Sequence, residues 1–376
     1  MNDRVSTRII FFVAGLATAT WAVIVPFAKA NTGVNDALLG TLLLCLGVGA
    51  IVAMPVTGIL TSRYGCRKVI CAAVVIILLA MPFLPLVTSP LLLGLCLLVF
   101  GVGVGITDCA MNVQAILVEK SSAKPLMSGF HGMFSVGGIA GAGMMTGLMS
   151  LDFGVIAATL TMSALVLFLL LISFKAMLPY ANPTEGPAFA IPKGTVLIIS
   201  AICFIVFMAE GTVLDWGALY LVESRNIPET LGGLGFATFA VAMTFGRLTG
   251  DYIVTRFGAL RVVILGSVIA AIGFLMLITS YALLPVLAGY LLIGLGCANI
   301  VPVMFTQTGK QKSMPQMVAV PAVTSVAYLG ILAGPAIIGY IAWHSSIAHG
   351  FIFVTLLVIV AALLSFSIRN LLKAHI

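Results

Sequence analysis

The chain has 376 residues, of which 61% are hydrophobic and only 8% are charged, and its formal net charge is +7. Soluble domains average about 45–50% apolar and about 25% charged residues, so this composition excludes soluble globular, disordered and disulfide-stapled secreted proteins. Apolar runs of about twenty residues also exclude a transmembrane β-barrel, whose strands alternate apolar and polar side chains, and they predict a polytopic α-helical membrane protein.

Twelve apolar segments have the length of a membrane-spanning helix, and the loops that join them are short. Any chemistry must therefore take place inside the helix bundle. The predicted spans are 9–28, 37–60, 69–88, 91–117, 127–149, 153–177, 195–220, 231–254, 262–280, 284–306, 318–341 and 348–368.

The basic residues predict the orientation of these spans. With both termini in the cytoplasm, every Lys and Arg except Lys29 and Arg225 falls on or near the cytoplasmic side. This bias is the positive-inside rule, and it explains the net charge as a consequence of topology. A nucleic-acid partner is not expected, because the sequence offers no solvated basic face.

The fourth predicted span carries an acid near the middle of the membrane. Lipid offers a carboxylate no partner, so Asp108 is predicted to face the bundle interior and to serve transport. Asn112 follows four residues later on the same helix face, and Gln114 lies nearby in the same span. The alternative is an acid that only holds helices together through hydrogen bonds.

The fifth predicted span contains His131, which lies nearly level with Asn112. A histidine can titrate in the physiological range, so His131 is a candidate proton partner of Asp108. A structural, hydrogen-bonded histidine is the alternative. The spans that follow are separated from the first six by a Pro-rich polar stretch at 179–194.

The second half of the chain adds further polar candidates. Glu210 and Trp216 lie in the seventh span, and Asn299 and Gln307 lie in the tenth. Together with Trp21 of the first span, Trp216 could stack on a sugar ring or a flat organic cation. An interfacial aromatic belt is the alternative for both tryptophans.

The chain repeats itself at an offset of 193 residues. Gly65 overlays Gly258, and Gln114 overlays Gln307. The repeat predicts two parallel six-helix halves, residues 1–178 and 195–376, joined by a cytoplasmic linker at 179–194.

The loop between the second and third spans reads GILTSRYGCRK at positions 58–68, which resembles the Gly-x-x-x-Asp-Arg-x-Gly-Arg-Lys motif of the major facilitator superfamily. Ser62 replaces the acid of the motif, and Asp251 could supply a carboxylate from higher in its helix. Within the superfamily, the stretches TDCAMN, FHGMFS and AEG…DW resemble YbjJ-like and fucose-permease-like bacterial permeases.

The resemblance implies a cytoplasmic gate formed by charged residues around this loop and its repeat. The expected gate residues are Arg63, Arg67, Lys68, Arg247, Asp251, Arg256 and Arg261.

The resemblance also implies a cavity lined by spans one, four, seven and ten. The residues expected to couple protons are Asp108, His131 and Glu210. The residues expected to bind the solute are Trp21, Asp108, Asn112, Gln114, Glu210, Trp216, Asn299 and Gln307.

Together these features predict a secondary active transporter, not an enzyme, that moves a small polar solute such as a sugar in symport with protons. The alternative is proton-driven efflux of a small amphipathic or cationic compound, with Glu210 holding the positive group. We expect a monomer in the inner (plasma) membrane, with lipid and its solute as partners and with no cofactor and no metal.

Overall fold

The computed structural model describes residues 2–122, 124–181, 190–228 and 231–370, and within these ranges the chain is helical with no strand. Short turns of 3₁₀ helix at Met81–Phe83 and of π helix at Tyr220–Ser224 extend two of the helices. The helices are α1 Asp3–Thr32, α2 Asp36–Ala80, α3 Pro90–Lys120, α4 Met127–Ser150, α5 Val155–Phe174, α6 Thr195–Leu219, α7 Leu234–Phe257, α8 Ala259–Thr279, α9 Leu283–Cys297, α10 Ile300–Lys310, α11 Gln316–His344 and α12 Ile347–Ser367.

These helices account for the twelve predicted spans. Ten of them are long and apolar enough to cross a membrane, counting α9 and α10 as one. One of the ten, Leu38–Phe83, contains two spans, because Gly65 interrupts α2 with non-helical dihedral angles of 81° and 156°. The twelfth span is α7, which is not among the ten and carries Arg247 and Asp251 within its apolar stretch.

Local sequence signals explain where several helices begin and end. Asn2 and Asn35 cap α1 and α2, because each side chain accepts a hydrogen bond from the backbone N–H three residues later. Pro90 opens α3 at a position where a helix needs no N–H donor. Gly33 ends α1 in the left-handed conformation, with a φ of 64°.

The internal repeat is visible in the backbone. Gly258, the repeat mate of Gly65, has φ and ψ of 79° and 152°, nearly the same as those of Gly65. Close helix approaches repeat as well. A Cβ at Gly101 would lie 2.0 Å from the carbonyl oxygen of Leu46, and one at Gly294 would lie 2.5 Å from that of Phe239, at the same offset in both positions. The internal repeat predicted from the sequence is therefore present in the local structure of both halves.

Large apolar side chains cover the outside of the helices. Leu171 is 64% exposed, Leu284 79% and Trp343 86%. A soluble protein rarely exposes so much apolar surface, whereas lipid chains solvate it. The chain is therefore a multi-pass membrane protein, as its composition predicts.

The chain forms two compact units. The first comprises Met1–Ser121, Met133–Ala190 and Pro315–Ala322, and the second comprises Ser122–Gly132, Ile191–Met314 and Val323–Ile376. The units differ from the predicted halves in two places. The start of α4 belongs to the second unit, and the start of α11 belongs to the first. The predicted boundaries remain predictions, and residues 182–189 of the predicted linker lie outside the described residues.

Candidate transport sites

Asp108 lies inside a membrane span of the first unit, on α3. It is twelve residues before the end of α3 at Lys120, about 18 Å along the helix axis. Its side chain is half-buried, and its carboxylate makes no hydrogen bond or ion pair to any of the residues the structure describes. This carboxylate is therefore available to a proton or to a bound solute.

Two buried polar side chains flank Asp108 on the same helix. Thr107 and Asn112 are each 1% exposed, and the hydroxyl oxygen of Thr107 and the amide oxygen of Asn112 have no hydrogen-bond partner within the described structure. The Asn112 Nδ2 donates to the backbone oxygen of Asp108 at 2.8 Å, which holds the amide beside the acid. Buried polar atoms are normally hydrogen-bonded, so these two atoms are candidate contacts for a bound solute.

Thr107 departs from the behaviour of other buried helical threonines. A threonine in a helix usually donates its hydroxyl to the carbonyl four residues earlier. The buried threonines that do so here are Thr7, Thr20, Thr57, Thr61, Thr159, Thr212, Thr308 and Thr355. Thr107 was not among the predicted site residues, although its position next to Asp108 could have drawn attention to it.

The Gln114 side chain of α3 forms hydrogen bonds to two other segments of the first unit. Its Nε2 donates to the Thr7 hydroxyl at 3.0 Å, and its Oε1 accepts from the Leu178 backbone N–H at 3.2 Å. Both ends of the amide are thus used to tie α3 to α1 and to the segment after α5. Trp21, the other predicted solute contact in the first unit, is buried in α1.

In the second unit, Glu210 of α6 pairs with Arg247 of α7. The Arg247 Nη2 lies 3.3 Å from Glu210 Oε1 and 3.4 Å from Oε2, with 9% and 16% of the two side chains exposed. The Arg247 Nε also donates to the Ala298 carbonyl at 3.4 Å. The sequence predicted both residues in separate roles and did not predict this pair.

His131 lies at the start of α4, in the segment that belongs to the second unit. It is buried, and its ring lies 5.7 Å from that of Phe305 on α10. It is also within electrostatic range of Arg247. The predicted partnership with Asp108 remains a prediction, and the contacts observed for His131 belong to the second unit.

Asn299 breaks the helix between α9 and α10. Its Nδ2 donates to the Gly246 carbonyl at 2.9 Å, and its Oδ1, which has no hydrogen-bond partner within the described structure, lies where a side chain at Gly250 would otherwise stand. Asn299 therefore packs the α9–α10 break against α7. Gln307 is 1% exposed, and its Oε1 is buried without a partner in the same described region.

Trp216 lies on α6 with its ring against α11. A Cβ at Gly339 would come within 3.1 Å of the ring, so this glycine makes room for it. The indole N–H is buried and finds no acceptor among the described residues. It is a further donor that a solute could satisfy.

The predicted gate residues make several kinds of contact. Asp251 Oδ1 accepts the backbone N–H of Gly129, at 3.1 Å, in the first turn of α4. Arg67 donates to the carbonyls of Lys175 and Met177 and so caps the end of α5. Arg63 lies over the ring of Tyr64, and Arg256 lies over the ring of Phe257. Lys68 and Arg261 form no hydrogen bond or ion pair with described residues.

Comparisons with known proteins agree on the family. The family model of the Major Facilitator Superfamily matches residues 9–220. A Yersinia pestis protein named as an uncharacterized MFS-type transporter is 46% identical over 363 residues, covering 96% of this chain and 94% of that protein.

Solved structures with the same fold are much more distant in sequence. The fucose:proton symporter FucP of E. coli superposes with a TM-score of 0.82 at 14% identity, covering 97% of this chain and 98% of FucP. The human organic anion transporter MFSD10 superposes with a TM-score of 0.79 at 13% identity, covering 96% of this chain and 98% of that one. At such identities the likeness shows the fold alone.

Proposed function

Because the chain belongs to the Major Facilitator Superfamily, whose members move small molecules across membranes, we propose that it is a proton-coupled symporter of a small polar solute such as a sugar. Transport would proceed by alternating access, in which the solute site opens to one side of the membrane and then to the other. Asp108 would carry the coupled proton.

The unpaired state of the Asp108 carboxylate is the observation that supports this proposal most directly. An ionised carboxylate inside a membrane is costly unless it meets a cation, a donor or a proton. Asp108 meets no such group among the described residues, while partial exposure leaves it open to exchange. Binding of a proton would neutralise it before the site closes.

The atoms around Asp108 favour a solute rich in hydrogen-bond donors. The Asn112 amide oxygen can only accept, and the Thr107 hydroxyl can accept or donate. Sugar hydroxyls supply such donors without adding charge. FucP, which has the same fold, is named as a fucose:proton symporter, so this fold can serve the symport of a sugar with a proton.

Efflux of a cationic compound is the alternative function, and in it Glu210 would hold the positive group of the compound. The Arg247 guanidinium already compensates the charge of Glu210, so a cation at Glu210 would compete with Arg247 for the same carboxylate. Asp108 would then be the stronger candidate for a cation as well. We therefore keep proton-coupled symport as the proposal, with a monomer in the inner membrane as the expected form.

Reconstituted vesicles test this function. A thermal-unfolding screen of the purified protein against sugars and their charged derivatives first identifies a ligand, because a ligand of the folded state raises the melting temperature. The labelled ligand should then accumulate in vesicles when the outside is acidic and should not accumulate once a protonophore has removed the gradient. Equal accumulation with and without the gradient would contradict proton coupling.

A further inference from the structure

Gln114 and Gln307 occupy equivalent positions of the internal repeat, yet their side chains have different partners. In the first unit, the Gln114 Nε2 donates to the Thr7 hydroxyl at 3.0 Å, and its Oε1 accepts the Leu178 backbone N–H at 3.2 Å. In the second unit, Gln307 is 1% exposed, and its Oε1 has no hydrogen-bond partner within the described structure. The amide is therefore used at both ends in the first unit, whereas its oxygen is unused in the second.

Ser200 shows the same difference on a neighbouring helix. At the offset of 193 residues, Ser200 is the equivalent of Thr7. Its side chain is 1% exposed, and its hydroxyl oxygen finds no hydrogen-bond partner in the part of the chain that the structure describes. The direct bond between the Gln114 and Thr7 side chains thus has no counterpart between Gln307 and Ser200.

Ser200 and Gln307 lie at one end of the second unit, in two helices that pack against each other. Ser200 is five residues after the first residue of α6, about 7.5 Å along the axis, and Gln307 is three residues before the last residue of α10, about 4.5 Å. Helices α6 and α10 are in contact. The repeat therefore predicts that the two side chains face each other, as Thr7 and Gln114 do.

The replacement of threonine by serine provides room between the two side chains. Serine lacks the methyl group of threonine, and a water molecule, with about 30 Å³ in the liquid, is close to a methyl group in size. The Gln307 amide oxygen can only accept a hydrogen bond, and the Ser200 hydroxyl can donate or accept one. Neither side chain carries a charge, so the pair favours a small neutral molecule that both donates and accepts.

We propose that Ser200 and Gln307 bind an ordered water molecule, in place of the direct hydrogen bond that joins Thr7 and Gln114 in the first unit. The water donates to the Gln307 amide oxygen and forms a second hydrogen bond with the Ser200 hydroxyl. Buried waters in proteins typically bond to about two to four polar groups that would otherwise lack partners.

The bound water makes the two halves unequal at their cytoplasmic ends. Thr7 and the backbone of Leu178 are fixed parts of the first unit, so they remain beside Gln114. A water molecule can exchange, and a hydroxyl group that makes the same hydrogen bonds can replace it. The inference concerns hydration and does not depend on proton coupling at Asp108.

X-ray radiolytic footprinting of the purified full-length protein detects this water, because radiation converts bound water into hydroxyl radicals that oxidise the nearest side chains. Met304 and Met111 are matched reporters. Each lies three residues before the glutamine of its half, and they are 0% and 1% exposed. In the wild type, Met304 should be oxidised several times faster than Met111, as measured by mass spectrometry of the peptides that contain them.

Two variants and one control locate the effect. Ser200→Thr restores the residue of the first unit and should slow the oxidation of Met304 to the rate of Met111, because the added methyl group displaces the water. The double variant Ser200→Ala with Gln307→Leu removes both polar contacts and should have the same effect, with an unchanged or higher melting temperature. Ser163→Thr should leave the Met304 rate as in the wild type, because the Ser163 hydroxyl already donates to a backbone carbonyl at 2.8 Å.

Equal oxidation of Met304 and Met111 in the wild type would overturn the inference, and so would a Met304 rate that neither variant slows. The first comparison uses the wild type alone, so it decides the matter even if a variant does not fold. Failure of the proposed function is a separate result, because it is measured as the loss of proton-driven accumulation and depends on Asp108.

Discussion

Thr107, Asp108 and Asn112 together make an unusual stretch of helix. A buried polar atom left without a hydrogen bond costs about 1–3 kcal/mol. Thr107 and Asn112 each carry such an atom, and Asp108 between them has no partner among the described residues. We interpret this cost as the consequence of a site that is complete only when a proton and a solute are bound.

Thr107→Val tests this interpretation at a single atom. Valine keeps the shape of the side chain and removes a hydroxyl that has no partner among the described residues, so the melting temperature should stay the same or rise. The affinity for the solute should fall about tenfold, because a hydrogen bond worth about 1.4 kcal/mol is lost. Ligand titration followed by thermal unfolding measures both quantities.

Thr212→Val is the matched control for this change. Thr212 is also buried, but its hydroxyl donates to the Met208 carbonyl at 2.8 Å. Its replacement should lower stability by about 0.5–1.5 kcal/mol and leave solute affinity unchanged. If Thr107→Val destabilised the protein as much and kept full affinity, the hydroxyl would be structural.

Single residues show where reasoning from sequence stops. Asp108 and Asn112 are recognisable because a polar group in an apolar run needs a reason. Gln114 is also a polar residue in an apolar run, yet its amide is hydrogen-bonded to Thr7 and Leu178, which lie far away in the chain. Which polar group finds a partner depends on packing between helices, and that packing cannot be read from one helix.

At the scale of helices, the repeat positions Gly65 and Gly258 have the same backbone conformation but are packed differently. Both glycines have a positive φ near 80°, which L side chains rarely adopt. A Cβ at Gly65 would lie 2.0 Å from the Pro179 carbonyl oxygen, whereas nothing lies within 4 Å of one at Gly258. The two repeat positions therefore differ in packing and share a backbone conformation.

Gly65→Ala should therefore be much more damaging than Gly258→Ala. The second change adds only backbone strain, about 1–3 kcal/mol, and should give folded protein with a lower melting temperature. The first also forces α2 away from the segment that follows α5, so the yield of monodisperse protein in detergent should fall severely. Equal yields and melting temperatures of the two variants would contradict the packing described for Gly65.

Asp251 of α7 accepts a hydrogen bond from the start of another helix, α4. Its carboxylate accepts the Gly129 N–H in the first turn of α4, where the helix dipole favours a negative charge. In the sequence, Asp251 is a candidate substitute for the acid missing at Ser62. The start of α4 joins the second unit, and this acid–helix contact occurs within that unit.

Asp251→Asn should loosen the start of α4. Loss of the charge removes about 0.5–1 kcal/mol, which corresponds to about two- to fivefold faster local amide exchange. Hydrogen exchange with mass spectrometry on peptides covering 124–132 measures the change. Asp215→Asn should leave those peptides as in the wild type, and equal protection in both variants would argue against a role for the Asp251 charge.

At the scale of the whole molecule, composition and repeat alone determine most of the architecture. The twelve spans and the parallel halves follow from apolar runs and from one offset of 193 residues. The division into compact units differs, because the starts of α4 and α11 each group with the other half. The contacts that cause this, such as Gly129 with Asp251, join residues 122 positions apart and carry no signal in either local sequence.

The predicted orientation can be tested with reporter fusions on either side of α4. Alkaline phosphatase, which folds only outside the cytoplasm, should be inactive when fused after Ser122 and active when fused after Asp152. The positive-inside distribution of Lys and Arg is the physical reason for this expectation. The opposite pattern would invert the topology.

The most direct test of the central claim is solute transport by Asp108→Asn in reconstituted vesicles. Asparagine is nearly isosteric but cannot exchange a proton, so the variant should still exchange labelled for unlabelled solute across the membrane at equilibrium. It should fail to accumulate solute against a gradient when the outside is acidic. Accumulation equal to that of the wild type would show that Asp108 does not carry the proton, and the proposed coupling mechanism would be wrong.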